Sequence, residues 1–210
     1  PTVTLLTALL LAPLAALHAA QQPARPSSSS QPQTAFLYEP TPGLGMPGVA
    51  SQGLCADVIP YYWQGRFHLM HLYGGPGQKG FAWAQLVTRD FVDFEHTVVA
   101  IPGGGTDDAI DYDIFTGSVF ERDGVLHAFF CGHNAAFKKQ NKPDQVMLHA
   151  TSRDGVNWTK DKTFVLTPEG DSRYRWPGAC RDGFVFWNPE KKEYGMIITA
   201  TPVNAPSGGL

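Results

Sequence analysis

The chain has 210 residues, 43% of them hydrophobic and 17% charged, with a formal net charge of −3. That composition is globular and long enough for a sizeable core, and near-neutrality without a basic run gives no reason to expect a nucleic-acid partner. The 22 Gly, 17 Pro and 12% aromatic residues suit a turn-rich β protein better than a helical one.

At the N-terminus, Leu5 to Leu17 is an apolar run too short to span a bilayer comfortably, followed by His18-Ala19-Ala20. This fits the apolar region and cleavage site of a secretory signal peptide. Residues 1–20 therefore read as a signal peptide, incomplete at its start because the methionine and basic n-region are absent. The mature protein is expected to be secreted or periplasmic, with no membrane association after cleavage. Residues 21–34, QQPARPSSSSQPQT, form a Pro/Ser/Gln linker that cannot bury a core, and residues 35–210 read as a β domain.

Asp57 opens an apolar, aromatic segment. Val58 to Trp63 predicts a strand, Gln64-Gly65 a two-residue turn, and Arg66 to Tyr73 a second strand. A carboxylate at the mouth of a buried hairpin is poorly placed for stability and well placed for chemistry. The same strand-turn-strand unit returns at Ser118 to His133 and at Phe184 to Ala200. Between these units, QLVTRDFVDFE and HATSRDGVNWTK set Arg89-Asp90 and Arg153-Asp154 in register 64 residues apart, with Phe94 and Trp158 four residues beyond each Asp. A period of about 60 residues with roughly four short strands is what a β-propeller blade needs. A sandwich gives no reason for that recurrence. Three blades are expected, at roughly 50–100, 105–165 and 175–210, too few to close a ring.

In a propeller the innermost strands run along the central axis and deliver side chains to a funnel. Asp57 and Asp182 precede the first strands of blades one and three, and Asp111 and Asp113 precede that of blade two. Carboxylates ringed by Trp63, Trp83, Phe115 and Trp176 suit a sugar, because rings stack on its apolar faces while acids work on the glycosidic bond. An isolated Asp before a strand ordinarily caps a turn; recurrence at equivalent places sets Asp57 and Asp182 apart. The histidines lack a metal spacing such as HExxH, and Gly103-Gly104-Gly105 lacks the Lys-Ser/Thr of a phosphate loop, so no metal or cofactor is expected. His68 and His127 are expected to pack or bond backbone. Cys55, Cys131 and Cys180 read as buried thiols, with a Cys55–Cys180 bridge as the alternative in an exported protein.

Four segments in order resemble family 32 glycoside hydrolases, the invertases, inulinases and levanases. ADVIPYYWQGRFHLMHLY resembles their N-D-P-N-G segment, and FAWAQLVTRDFVDFEHTVVAIP resembles their W-G-H-A-x-S-x-D-L-V-H-W segment. FTGSVFERDGVLHAFFCGHN resembles their S-G-S segment, and CRDGFVFWN their R-D-P segment. The resemblance implies a five-bladed β-propeller, of which about three blades are present, and retaining hydrolysis of fructosyl linkages in a fructan or related furanoside. Asp57 would be the nucleophile, Asp182 the transition-state stabiliser with Arg181 beside it, and Phe115, Thr116, Ser118, Asp113 and Trp83 would bind substrate. For Phe115 and Trp83, packing is the competing role. ADVIP replaces N-D-P-N-G, Leu72 a family Gln, and Gly183 the Pro of R-D-P. These departures also suit the related family 43, whose members are inverting arabinofuranosidases and xylosidases, or a non-catalytic carbohydrate-binding propeller. The family's acid/base Glu falls beyond Leu210, so the chain alone is expected to be inactive.

Overall fold

A computed structural model describes residues 54–74 and 79–204. The expected signal peptide and linker, residues 1–34, lie outside them.

Strands β1 (Leu54–Trp63) and β2 (Arg66–Gly74) close through Gln64 and Gly65, whose φ values of 48° and 75° match the twist of a tight hairpin. With β3 (Ala82–Thr88) and β4 (Phe94–Ile101) they form an antiparallel sheet in chain order. The second sheet repeats that plan in β5 (Asp113–Arg122), β6 (Val125–His133), β7 (Gln145–Ser152) and β8 (Thr159–Lys160). Asp123-Gly124 takes the place of Gln64-Gly65, again with positive φ. A short helix, α1 (Ala135–Lys139), sits between β6 and β7 and is capped by the Asn134 side chain, which accepts from the Ala136 N–H. β9 (Cys180–Asn188) and β10 (Glu193–Ala200) make a third hairpin. The architecture is a partial propeller whose sheets do not close a ring among the described residues, and its three units fall where the repeat placed them.

The repeat holds at the level of single hydrogen bonds. After β3, Thr88 Oγ1 accepts from the Asp90 and Phe91 N–H groups, and Asp90 Oδ1 accepts from those of Val92 and Asp93. After β7, Ser152 Oγ accepts from the Asp154 and Gly155 N–H groups, and Asp154 Oδ1 from those of Val156 and Asn157. The Asp residues in the 64-residue register are turn caps, and these bonds hold both carboxyls below the usual carboxylate range, the largest cause being Asp93 N–H for Asp90 and the Asn157 side chain for Asp154.

The main core joins the first two sheets. Ile59, Met70, Leu72, Trp83 and Ile101 pack with Ile114, Phe130, Val146 and Leu148. β3 is buried at every position, so both of its faces are covered. At its centre, Gln85 Nε2 lies 2.7 Å from His68 Nδ1, and the ring of His68 stacks on Tyr61. In the equivalent place of the second sheet, His127 Nδ1 lies 3.0 Å from His149 Nε2, between stacked aromatic rings. Both histidines therefore pack, but they bond side chains.

Candidate active site

The first strand of each unit carries a β-bulge near its start. On β1 the pairing steps from Ala56 opposite Leu72 to Val58 opposite His71, leaving Asp57 as the extra residue. On β5 it steps from Phe115 opposite Cys131 to Gly117 opposite Phe130, leaving Thr116. On β9, between Arg181 opposite Thr199 and Phe184 opposite Ile197, the extra residue falls within Asp182-Gly183. A bulge swings a side chain out of the strict alternation of a strand. Asp57 and Asp182 have φ of 36° and 56°, a left-handed region that Asp enters more readily than most residues. The β5 bulge also needs Gly117, because a Cβ there would lie 1.9 Å from the Phe129 carbonyl oxygen.

β5 connects the other two strands. Thr116 Oγ1 donates to Asp57 Oδ2 at 2.6 Å, a charge-assisted bond across the gap between β1 and β5. Two residues further along, Ser118 Oγ accepts the Val185 N–H at 3.0 Å, tying β5 to β9 three residues past Asp182. Since each strand opens an equivalent antiparallel unit, the three bulges stand at the same end of the fold. Both carboxylates are exposed there. Asp182 Oδ2 lies 3.4 Å from Arg181 Nε and accepts from Thr199 Oγ1, also at 3.4 Å. The Arg181 contact is one of charge alone, since its buried Nε makes no aligned hydrogen bond.

The other expected site residues divide. In blade two the residue equivalent to Asp57 and Asp182 is Thr116, which corrects the expectation of Asp111 or Asp113. Asp111 pairs with Lys160. Asp113 accepts the Phe81 N–H at 2.9 Å and contacts His133 Nδ1 at 3.0 Å, so both its oxygens serve the fold. Burial would raise the Asp113 carboxyl, but His133 and the Phe81 N–H together hold it below the usual range. Ser118 is buried in its bond to Val185 and does not line an open pocket. Trp83 is fully buried, with its indole N–H donating to the Phe115 carbonyl at 3.1 Å and its ring edge-on to Phe130. Of its two roles, the structure shows core filling. Phe115 stacks on His133 at 4.5 Å and packs on both neighbouring apolar clusters, which is the packing role. Thr199 was not legible in the sequence, because its contact with Asp182 depends on the β9 bulge.

Cys131 and Cys180 are buried free thiols. Burial pushes the Cys131 thiol up to about 12, so it stays protonated near neutrality. Among the described residues no group of three or more His, Cys, Asp or Glu is arranged to hold a metal ion. Arg181 also lines a cavity of about 470 Å³ beside the β9 bulge, which neither Asp57 nor Asp182 lines. The carboxylates thus stand on an open surface and can reach a saccharide laid across the strand ends.

Comparisons with known proteins agree with this arrangement. Residues 51–206 match the family model for the glycosyl hydrolases family 32 N-terminal domain. The raffinose invertase of Escherichia coli is 29% identical over 131 residues, 60% of this chain and 27% of that protein. The levanase of Bacillus subtilis is 30% identical over 150 residues, 66% of this chain and 20% of that protein. The chain therefore spans about a quarter or less of the curated relatives it matches. Among solved structures, the sucrose-6-phosphate hydrolase of Lactobacillus gasseri superposes with a TM-score of 0.56 at 21% identity, over 72% of this chain and 30% of that one. Exo-inulinase from Aspergillus awamori gives 0.54 at 22% identity, over 69% of this chain and 32% of that one. On the family match and the shared propeller fold, the chain belongs to glycosyl hydrolase family 32, of which it carries the N-terminal domain.

Proposed function

We propose that the protein carrying this chain is an exported glycosidase that hydrolyses β-fructofuranosidic linkages by a retaining, two-carboxylate mechanism. The observation that supports it most is Asp57, held on a strand bulge by Thr116 at the same end of the fold as Asp182 and Arg181, in a chain of this family. The raffinose, sucrose and levan in its relatives' names share a fructosyl unit.

In this reading Asp57 attacks the anomeric carbon with its free oxygen while Thr116 holds the other. A fructosyl-enzyme forms as the leaving sugar departs, and water then releases fructose with its configuration retained. Asp182, steadied by Thr199 and Arg181, stabilises the oxocarbenium-like transition state through the sugar hydroxyls. The acid/base is a glutamate outside the described residues, following residue 210. Glu190 and Glu193 lie at the β9–β10 turn, about 25 Å along the strand from Asp182 at roughly 3.3 Å per residue. They are too far to protonate the same glycosidic oxygen.

The test is fructose release from sucrose, inulin and levan by the protein with and without Asp57→Asn and Asp182→Asn, with arabinan as control. Either variant should lower kcat by on the order of 10³-fold or more. Full activity in Asp57→Asn, or hydrolysis of arabinan alone, contradicts the reading. Hydrolysis of a fructan by residues 1–210 alone would show the acid to be misassigned. For export, the secreted protein should begin near Gln21; retention of residues 1–20 contradicts it.

A further inference from the structure

The cavity beside the β9 bulge carries a charge unlike that of the chain as a whole. It is lined by Lys138, Lys142, Arg175 and Arg181, with Asp144 as the acidic residue among its lining groups. Four cations against one carboxylate surround this space in a chain whose net charge is −3. Its volume, about 470 Å³, is that of a small-molecule site.

Register places the cavity at the bulge end of the fold. Gln145, on one wall, opens β7 and pairs with His133, whose partner is Asp113 at the start of β5. Arg181, on the other wall, pairs with Thr199 at the start of β9 and touches Asp182. Two polar atoms among the lining side chains, Gln145 Oε1 and Arg181 Nε, are buried without a hydrogen-bond partner. Lys142 lies over the ring of Phe137, and Arg175 Nη2 donates to the Val203 carbonyl. These contacts hold two of the cations at the cavity wall while leaving their charge uncompensated by a carboxylate. Planar guanidinium groups match carboxylate and phosphate oxygens in pairs, and the two lysines add point charge.

We infer that this cavity is a subsite for an anionic group, carboxylate or phosphate, on the saccharide that the site engages. The inference rests on the proposed function, because the saccharide is the one held by Asp182 and Arg181. It deepens that function by assigning a charged glycoside in preference to a neutral fructan. Lys138, Lys142 and Arg175 set the preference, and Arg181 joins the subsite to the reaction centre.

The experiment compares binding by calorimetry and kcat/KM for three fructosides differing in one group: neutral sucrose, a sucrose phosphate and a glucuronyl fructoside. Inorganic phosphate alone serves as a competitor. The protein carrying this chain should bind at least one charged fructoside about 10-fold or more tightly than sucrose, with the margin shrinking as salt is raised. Lys138→Glu with Lys142→Glu, at exposed positions, should erase that margin and leave the sucrose parameters unchanged. Equal binding of charged and neutral fructosides overturns the subsite, as does a margin that survives the double variant. A charged-ligand preference without turnover leaves the subsite standing and removes the catalytic reading. Turnover without the preference does the reverse.

Discussion

Ser118→Ala separates a structural from a sugar-binding role on β5. The hydroxyl is buried and accepts the Val185 N–H at 3.0 Å, the side-chain bond joining β5 to β9. Alanine removes the acceptor and leaves that N–H buried with no replacement in reach. A buried donor left unpaired costs about 1–3 kcal/mol, and each kcal/mol moves Tm by roughly 2–4 °C in a chain of this length. A loss of about 4–8 °C is therefore expected by calorimetry or circular dichroism, with a parallel fall in urea midpoint at constant m-value. KM for a fructoside should stay within about 2-fold, because the hydroxyl faces the neighbouring strand. An unchanged Tm together with a KM raised tenfold would refute the reasoning and return Ser118 to the sugar site.

Two residues away the pattern reverses. Thr116→Val removes an exposed bond to Asp57, so stability should change by less than about 1 kcal/mol while kcat falls roughly 10-fold or more in initial-rate assays; unaltered kcat contradicts the assignment. Trp83→Ala should destabilise by about 3–5 kcal/mol in urea titration, the range for emptying an aromatic site in a packed core, and soluble protein with wild-type stability and only a raised KM would show a rim role. The pH dependence of stability should carry the imprint of His127, which burial first, and His149 and Arg122 next, hold below the ordinary value of 6.5. Its neutral form is favoured in the folded state, so its contribution is fully present above 6.5 and lost as pH falls through the folded value. Urea midpoints should therefore drop more steeply below pH 6.5 in wild type than in His127→Phe, and parallel profiles contradict the sign.

The hairpins, the turn caps and the order of the units were legible because each is local. Gln64-Gly65 and Asp123-Gly124 name their turn, and Asp90 and Asp154 name theirs, whatever surrounds them. The bulges were not legible, because an extra residue is visible only in the pairing with the next strand. On β5 the bulge at Thr116 breaks the alternation. Ile114 and Val119 both pack on the main core although five residues apart, while Ser118 faces Val185. Unbroken alternation would have put Ser118 on the face of Ile114. The same shift explains why Asp113, rather than Thr116, looked like the partner of Asp57. Trp83 was ambiguous for another reason: β3 is covered on both faces, so an aromatic residue there packs inside whichever way it points. The basic cavity could not be read at all, since its lysines lie on α1 or just beyond it and its arginines flank the start of β9, roughly 40 residues downstream.

The claim on which the account turns is that Asp57 bonds covalently to the sugar. Mass spectrometry of the protein trapped with a slow fluorinated fructoside, followed by peptide mapping, tests it directly. The account predicts a fructosyl ester on the peptide containing Asp57, absent in Asp57→Asn. A label on another carboxylate, or product released with inverted configuration and no label at all, would contradict it.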